Sequence, residues 1–516
     1  MRIFSLLLAS VFVATAATAG TAQVPDRPDA DHHAMAGDRL GEIVFPNSGD
    51  AAAQAPFLRG VKLLHNFEYD DAVESFQAAQ RADPSFALAY WGEAMAHNYT
   101  LWAEQHTDKA RAILMRLGPT AEARAAKAKT AREKMYLAAL EALYGPGTKF
   151  ERDIAYADRM DALAKAYPED VEAQTFDALA TLGRSHGTRN EANYLRSGAI
   201  LEKLFPTHQS HPGVVHYMIH SYDDPAHAQL GLKAARLYDK IAPESPHALH
   251  MTSHIFLALG MWPEAEQANA HAEEAANAMA AMHHGSAGAC GHGAIWLVYA
   301  KLQQGEDASR EVAACRAEAE SKLKNPEPLP VVGFGEGSTG SWADMAVRTG
   351  IETGKWPHWI ELPPGKMTLI RFTEDYGRLL ASGRDAAAAA SAFQAMTADR
   401  EILRANFAKE FPDDDQTMPW VDRAVDQAAA MVALAGGNTE RGLALLRKAA
   451  EAEAALPPPF GPPALQKPSY ELLGDELLAL GRKKEAAEAY RKALAAAPNR
   501  RLSVLGLKAA TGAKGG

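Results

Sequence analysis

The amino-acid sequence predicts an all-α protein, a solenoid of antiparallel helix pairs stacked one on the next. Three observations predict this class. Ala-rich stretches with apolar residues at helical spacing recur through most of the 516 residues. Alternating runs of Val, Ile and Thr, which would form strands, are nearly missing. Two segments hundreds of residues apart follow one 34-residue template, and self-similarity at such a period is typical of repeat proteins.

The first 22 residues are predicted to be a secretory signal peptide. Arg2 supplies a positive charge, an apolar run covers residues 3–17, and small residues around Ala19 provide a cleavage site. Loss of Arg2 changes the formal net charge from -11 to -12, which argues against a nucleic acid as partner. No later apolar run reaches the roughly 20 residues of a membrane helix. We therefore expect a periplasmic or secreted protein without a membrane span after cleavage.

The 34-residue template has a physical explanation. Each copy places Gly, Ala, an aromatic residue, Ala and Pro in order, with steps of 12, 4, 3 and 5 residues. Small residues let two antiparallel helices approach, the aromatic ring fills the space between them, and Pro ends the second helix. The two copies consist of Gly60, Ala72, Phe76, Ala79 and Pro84, and of Gly474, Ala486, Tyr490, Ala493 and Pro498.

These residues resemble the tetratricopeptide-repeat family, and the stretches AYWGEAMAHN, HYMIHSYDDPAHA and HMTSHIFLALGMW are similar to an exported bacterial subgroup with no assigned activity. The resemblance covers most of residues 51–510. It implies helix pairs wound into a right-handed superhelix with a concave face that binds ligands. Clear repeats lie at 53–86, 212–279 and 467–500, whereas residues 100–205 are helical but depart from the template.

Changes in composition predict where the array is interrupted. After the signal peptide, the polar residues 23–50 are expected to be a disordered linker. Residues 51–324 form a first solenoid half, and residues 369–516 form a second half that ends in a capping helix. Between them, residues 325–368 are predicted as a Gly- and Pro-rich connection, with a short helix from Trp342.

Histidine is concentrated in one part of the chain, since 12 of the 19 histidines lie between residues 208 and 292. Two consecutive repeats carry a pair of histidines at i, i+4 spacing and at the same offset, so four imidazoles are expected on one helix face and at one height. These candidate groove and metal ligands are His216, His220, His250 and His254. Imidazoles from adjacent helices suit a metal ion. Hydrogen bonding within the repeat interface and direct contact with an organic or peptide ligand are the alternatives.

A second candidate metal cluster lies in the Gly-rich turn at 283–293. Its ligand set suits zinc or copper and consists of His283, His284, Cys290 and His292. A plain connection between helices is one alternative, and a disulfide between Cys290 and Cys315 is another. If the helices form a hairpin that turns near Gly305, residue 321 would face Cys290, which argues against the bridge.

Three further candidate groove residues occupy equivalent positions of the first two repeats: Phe57, Trp91 and Met95. A place in the core is the alternative for such apolar residues. The sequence thus predicts a non-enzymatic binding or scaffold protein of the cell envelope, which recognises a peptide, a protein or a small ligand. The alternative function is a solenoid that binds zinc or copper. A metal-dependent hydrolase comes third, because HExxH and GxSxG signatures are missing.

Overall fold

The structure, a computed structural model, describes residues 39–186, 188–282, 288–324, 337–363, 365–410 and 417–512. The regular secondary structure in these ranges is almost entirely helical, which confirms the predicted all-α class. The signal peptide predicted at 1–22 lies outside the described residues. Within the described ranges, no helix combines the length and the apolar character that crossing a membrane requires.

Each helix packs mainly on its neighbours along the chain, as in a solenoid. The helices of the first half are α1 (Ala51–His65), α2 (Tyr69–Ala82), α3 (Ala87–Met95), α4 (Thr107–Leu117), α5 (Ala121–Lys127), α6 (Ala131–Leu143), α7 (Lys149–Ala166), α8 (Val171–Gly183), α9 (Glu191–Leu204), α10 (Pro212–Ser221), α11 (Ala228–Ile241), α12 (Pro246–Ala258), α13 (Trp262–Met282), α14 (His292–Gln304) and α15 (Ser309–Lys324). A small antiparallel hairpin, β1 (Asn98–Tyr99) and β2 (Glu104–Gln105), follows α3.

The remaining helices continue the same stack. They are α16 (Ser338–Thr353), α17 (Thr368–Ala381), α18 (Ala386–Glu410), α19 (Thr417–Ala435), α20 (Thr439–Ala454), α21 (Ser469–Ala479), α22 (Lys483–Ala496) and α23 (Arg501–Thr511). The last of these, α23, lies at the end of the second half, where the sequence predicts the capping helix.

The template residues pack as their chemistry predicts. A Cβ atom at Gly60 would lie 2.8 Å from Cε1 of Phe76, and one at Gly474 would lie 2.7 Å from Cε1 of Tyr490. Any larger residue would collide with the aromatic ring that fills the gap between the two helices. Both rings are almost completely buried, with 0% and 1% of Phe76 and Tyr490 exposed.

Residues 40–50 differ from the predicted disordered linker, because they are ordered and lie along the first helices of the N-terminal pairs. The backbone N–H of Glu42 donates to the carbonyl of Ser210 at 2.9 Å, just before α10. The backbone N–H of Ser48 donates to Oε1 of Glu133 at 2.7 Å on α6. The polar composition suggested disorder, but the backbone of this segment has partners on helices far away in sequence.

The predicted connection at 325–368 also contains more structure than expected. The helix α16 begins at Ser338 rather than at Trp342, and Trp342 is only 1% exposed. The helix α16 packs on α14, α15 and α17, so the stack continues through this stretch. Tertiary packing therefore outweighs the weak helix propensity of a Gly-rich beginning.

The C-terminal repeat packs back onto the middle of the chain. Arg500, which is 1% exposed, pairs with Glu471 at 2.8 Å and with Glu352 of α16 at 3.3 Å. The indole Nε1 of Trp262 donates to the carbonyl of Asn499 at 2.9 Å. The two halves therefore meet, and they enclose space between α14, α16 and the last repeats.

Candidate metal centre

Two helices in the middle of the first half, α10 and α12, carry most of the candidate histidines. Pro212 and Pro246 stand at their first positions, where a missing N–H group is tolerated. His211 and Ser245 precede them, and each side chain accepts a backbone N–H group from the first turn, at 3.3 and 3.1 Å. The two helices therefore begin in the same way, and residues at equal offsets take equivalent places.

Three histidines from these two helices form cluster 1, which consists of His216, His220 and His247. His216 and His220 lie on α10, and their Nε2 atoms are 3.0 Å apart. Nε2 of His247, in the first turn of α12, lies 3.2 Å from Nε2 of His216. His216 and His220 are 0% and 7% exposed. Cluster 1 is therefore a set of imidazoles that converge away from bulk water.

Cluster 2 repeats this arrangement one repeat later and consists of His250, His254 and His292. The Nε2 atoms of His250 and His254 on α12 are 3.1 Å apart. The ring centroid of His292, at the start of α14, lies 4.6 Å from that of His250. The two clusters are neighbours, because the ring centroids of His220 and His254 are 6.1 Å apart.

Hydrogen bonds fix the position of the protons in cluster 2. Nδ1 of His250 lies 2.7 Å from Oδ1 of Asn269, whose Nδ2 donates to the carbonyl of Ala265. Nδ1 of His254 lies 2.7 Å from Oδ2 of Asp223. Both oxygens accept, so each Nδ1 carries the proton and each Nε2 of a neutral ring presents a lone pair. These two lone pairs repel each other unless a cation, either a proton or a metal ion, lies between them.

Cluster 1 has a similar excess of acceptors. Nδ1 of His216 donates to the backbone carbonyl of His65 at 2.6 Å, which leaves Nε2 of His216 with a lone pair. His220 and His247 both direct Nε2 at this nitrogen. The lone pair can accept one good N–H donor, so two neutral imidazoles cannot both be satisfied by it. A metal ion that binds all three nitrogens would satisfy the whole cluster.

Burial favours the neutral form of four of these imidazoles. Burial, followed by repulsion between the protonated ring and the neighbouring His254 imidazole, lowers the pKa of His250 to about 3. Burial also lowers the pKa values of His216, His220 and His247 well below their ordinary value, and the nearby imidazoles add to the effect. Neutral imidazole is the form that binds a metal ion.

The distances within both clusters fit a metal ion. Nitrogen ligands bound tetrahedrally to zinc at about 2.0–2.1 Å stand about 3.3–3.4 Å from each other. The observed separations of 3.0, 3.2 and 3.1 Å are shorter by a few tenths of an ångström, which a small side-chain adjustment would supply. The bonds from Nδ1 to Asp223, Asn269 and a backbone carbonyl also resemble the outer contacts that orient ligating imidazoles in metalloproteins. The residues of clusters 1 and 2 therefore fit zinc or copper.

Cluster 3, which consists of His65, Glu172 and His211, has a metal-like composition but is closed by hydrogen bonds. The two imidazoles donate from Nε2 to the two carboxylate oxygens of Glu172, at 2.8 and 3.1 Å. Nδ1 of His65 accepts from the hydroxyl of Tyr217 at 2.9 Å, and Nδ1 of His211 accepts from the backbone. Burial alone would raise the pKa of Glu172, but the two imidazoles lower it to about 2. Cluster 3 thus needs no further ion.

The structure divides the four predicted histidines into two pairs rather than one set. Each pair is completed by an imidazole from the first turn of the next repeat's helix, His247 in cluster 1 and His292 in cluster 2. His247 was not among the residues predicted from the sequence, and His292 was predicted to act with His283, His284 and Cys290 instead. A signal was present, because His247, His250 and His254 have i, i+3, i+7 spacing, which keeps them on one helix face.

Cys290 is not available as a metal ligand in the structure, because it forms a disulfide with Cys315, with Cα atoms 4.8 Å apart. A hairpin of α14 and α15 that turns near Gly305 would have placed residue 321, not Cys315, opposite Cys290. Instead α15 packs mainly on α16, and Gly291, with a φ of 121°, turns the chain before α14. The other members of that predicted set, His283 and His284, lie outside the described residues.

The predicted groove residues Phe57, Trp91 and Met95 lie in the core, with 0%, 0% and 2% of their surface exposed. Phe45 packs against two of them, since its ring centroid lies 5.3 Å from that of Phe57 and 5.8 Å from that of Trp91. The face that these residues were expected to offer to a ligand is thus covered by segment 40–50 of the same chain.

Comparisons with known proteins agree with the repeat architecture. Residues 468–500 match the family described as "Tetratricopeptide repeat", so the chain contains a repeat of this family. No curated protein matches the chain.

Several solved structures are similar at low identity. The "Crystal structure of APC/C hetero-tetramer Cut9-Hcn1" is 11% identical, with 90% of this chain and 78% of that chain covered and a TM-score of 0.34. The "Human IFIT1 dimer with m7Gppp-AAAA" is 10% identical, with 90% and 91% covered and a TM-score of 0.34. The "Crystal Structure of P58(IPK) TPR Domain at 2.5 A" is 12% identical, with 89% and 98% covered and a TM-score of 0.21.

Proposed function

We propose that this protein is a metal-binding helical-repeat protein that holds zinc or copper in clusters 1 and 2. One observation carries the proposal. Asn269 and Asp223 accept the Nδ1 protons of His250 and His254, so the two Nε2 lone pairs face each other at 3.1 Å. A cation between them removes the repulsion, and a third imidazole converges on the same place.

A metal ion accounts for more of this geometry than a proton does. A proton would join two nitrogens in each cluster, whereas each cluster supplies three. Zinc and copper are the ions that a set of neutral imidazoles suits, since magnesium and calcium prefer oxygen ligands. The clusters contain no carboxylate or thiolate of their own. We therefore assign one zinc or copper ion to each cluster.

We assign no reaction to the protein, in keeping with its repeat fold. Tetratricopeptide repeats are generally protein-interaction scaffolds, and a protein or peptide partner is part of the proposal. We also propose the periplasm or the extracellular space as its compartment. The predicted signal peptide supports this location, and so does the disulfide between Cys290 and Cys315, a bond that persists in oxidising compartments.

Elemental analysis of the purified protein after incubation with zinc or copper and gel filtration tests the proposal. We expect one ion for each cluster in the wild type. The double variant His220→Gln, His254→Gln removes one ligand from each cluster and should retain almost no metal, with unchanged helicity by circular dichroism.

A matched control removes the same number of histidines elsewhere. His208 and His271 lie outside the three clusters, so His208→Gln, His271→Gln should bind metal like the wild type. A wild type that retains no ion, or a cluster variant with full metal content, contradicts the proposal.

A further inference from the structure

A cavity of about 190 Å³ lies beside cluster 2, where the two halves of the chain meet. Its walls come from α14, α16, α17, α19 and the Pro-rich stretch 459–466. These segments are far apart in sequence, so the cavity requires the folded chain as a whole. A dry cavity of about 150 Å³ accommodates benzene, so this cavity has room for a molecule of one or two rings.

The wall of the cavity is mainly apolar. Five aromatic side chains line it, together with aliphatic residues from the same segments. These five are Trp296, Phe372, Tyr376, Trp420 and Phe460. Rings from several directions offer faces and edges against which a flat aromatic molecule packs well.

Several polar groups on the wall bond to neighbouring side chains. Nε of Arg348 donates to Oδ2 of Asp344 at 2.7 Å, and Nε2 of Gln466 donates to Oδ1 of the same carboxylate at 2.7 Å. The hydroxyl of Tyr376 donates to Oε1 of Gln427 at 2.6 Å. The one cationic and the one anionic side chain among the described lining residues are paired with each other, so neither is left to bind a charged ligand. The cavity therefore suits a neutral molecule.

The Pro-rich stretch closes one side of the cavity. The guanidinium of Arg189 lies 4.1 Å from the ring centroid of Phe460, whose ring also lies 6.0 Å from that of Tyr194. Gly461 has a φ of 133°, and a Cβ atom there would lie 2.4 Å from Cζ2 of Trp296. This stretch thus contacts the first half through Phe460 and packs closely against α14 at Gly461.

His292 belongs both to the cavity wall and to cluster 2. Trp296, one turn later on α14, lines the cavity and lies 4.4 Å from the ring of His254 between centroids. A molecule in the cavity would therefore have one end beside an ion held by cluster 2. Three protein ligands leave a coordination position for an outside group.

We propose that the cavity binds a neutral aromatic molecule of one or two rings, whose nitrogen or oxygen donor completes the coordination of the ion in cluster 2. This inference rests on the proposed metal binding. It names the class of ligand that the metal site takes and assigns a role to the cavity.

Two probes of equal shape test the inference by calorimetry on the full chain, with and without metal. The first is 4-phenylimidazole, which has a basic nitrogen donor, and the second is 2-phenylpyrrole, which lacks one. Both should bind in the cavity with one molecule per chain. With metal bound, 4-phenylimidazole should bind on the order of tenfold more tightly than 2-phenylpyrrole. Without metal, the two affinities should be similar.

Variants locate the binding. Val421→Phe fills the cavity from α19 and should weaken both probes on the order of tenfold. If that variant does not fold, Phe460→Ala removes an aromatic wall from the loop and should weaken both probes as well. Variants that bind like the wild type overturn the assignment to this cavity.

The outcomes separate this inference from the proposed function. Metal content as expected, with no binding of either probe, overturns the cavity ligand and leaves the metal proposal in place. Equal affinity of both probes in the metal-loaded protein overturns the link to cluster 2. If the protein retains no metal but binds 2-phenylpyrrole saturably, the metal proposal and the coordination of the ligand by the ion are both overturned. The aromatic binding cavity is then upheld.

Discussion

Clusters 2 and 3 each bring three buried side chains together, yet their protons are arranged in opposite ways. In cluster 3, Glu172 lies between two imidazoles and accepts a hydrogen bond from each. In cluster 2, the acceptors Asn269 and Asp223 lie outside and draw the protons of His250 and His254 away from the centre. Closeness of possible ligands therefore does not identify a metal site. The direction of the hydrogen bonds around them does.

The largest effect should come from Glu172→Ala. This change leaves two buried imidazole N–H groups without their acceptor, and we expect a loss of about 3–5 kcal/mol in the free energy of unfolding. Urea denaturation followed by circular dichroism measures it. The exposed Glu451→Ala should leave the midpoint nearly unchanged. Stability equal to that of the wild type would show that cluster 3 is not held together by these bonds.

Metal itself should stabilise clusters 1 and 2 by a somewhat smaller amount. At a free metal concentration of about one hundred times Kd, one occupied site adds about 2.7 kcal/mol to the free energy of unfolding. His250→Gln should remove the gain from cluster 2, and it should change the metal-free protein little because it removes a lone-pair repulsion. If the metal-free His250→Gln variant lost as much free energy of unfolding as Glu172→Ala, the proposed difference in proton arrangement between clusters 2 and 3 would be contradicted. Urea denaturation with and without metal makes the comparison.

A change outside the ligand set should have a moderate effect. An Asn at position 223 can donate to Nδ1 of His254 and so favour the wrong protonation of that ring. We expect Asp223→Asn to weaken metal binding about 10–100-fold, measured by competition with a coloured chelator. The adjacent Asp224→Asn is the control, because Asp224 contacts Arg189 and His227 rather than the clusters. Equal affinity in both variants would indicate that the carboxylate does not orient His254.

Mild acid should have the smallest effect on the fold. It should still distinguish clusters 1 and 2, which would lose metal, from cluster 3, which would keep its hydrogen bonds. Burial lowers the pKa values of the three imidazoles of cluster 1 and of His250 in cluster 2, so protons displace the metal from these imidazoles only below the ordinary value of about 6.5. Glu172 has a lowered pKa of about 2. Its contribution to stability is therefore complete above the unfolded pKa of about 4.3 and is lost only as the pH falls toward 2.

Elemental analysis and circular dichroism between pH 7 and 4 test this order. Metal should leave first, while the helicity persists. Loss of helicity before loss of metal would contradict the assignment of the lowered pKa values to these clusters.

The sequence was sufficient for the helix pairs and for two imidazoles of each cluster, because both follow from spacing along one helix. Gly60 and Phe76 face each other across the two helices of a pair in any stack of this kind. Residues four apart on α10 lie on the same face of that helix. The third ligand and the outer acceptors come from other helices, and their approach depends on the tertiary structure. Asp223 and Asn269 carry no local pattern that reveals their contact with imidazoles. The disulfide between Cys290 and Cys315 was one open alternative in the sequence. The hairpin geometry that argued against it does not occur, since α15 packs on α16.

The ordered segment 40–50 determines how a partner could compete for the N-terminal face. The segment is joined directly to α1, and short tethers give effective concentrations on the order of millimolar. A peptide that bound this face would therefore first have to displace a segment that is tethered to it. Its apparent affinity would be reduced by the fraction of molecules in which the segment has left the face. Only strong or abundant partners would then bind there.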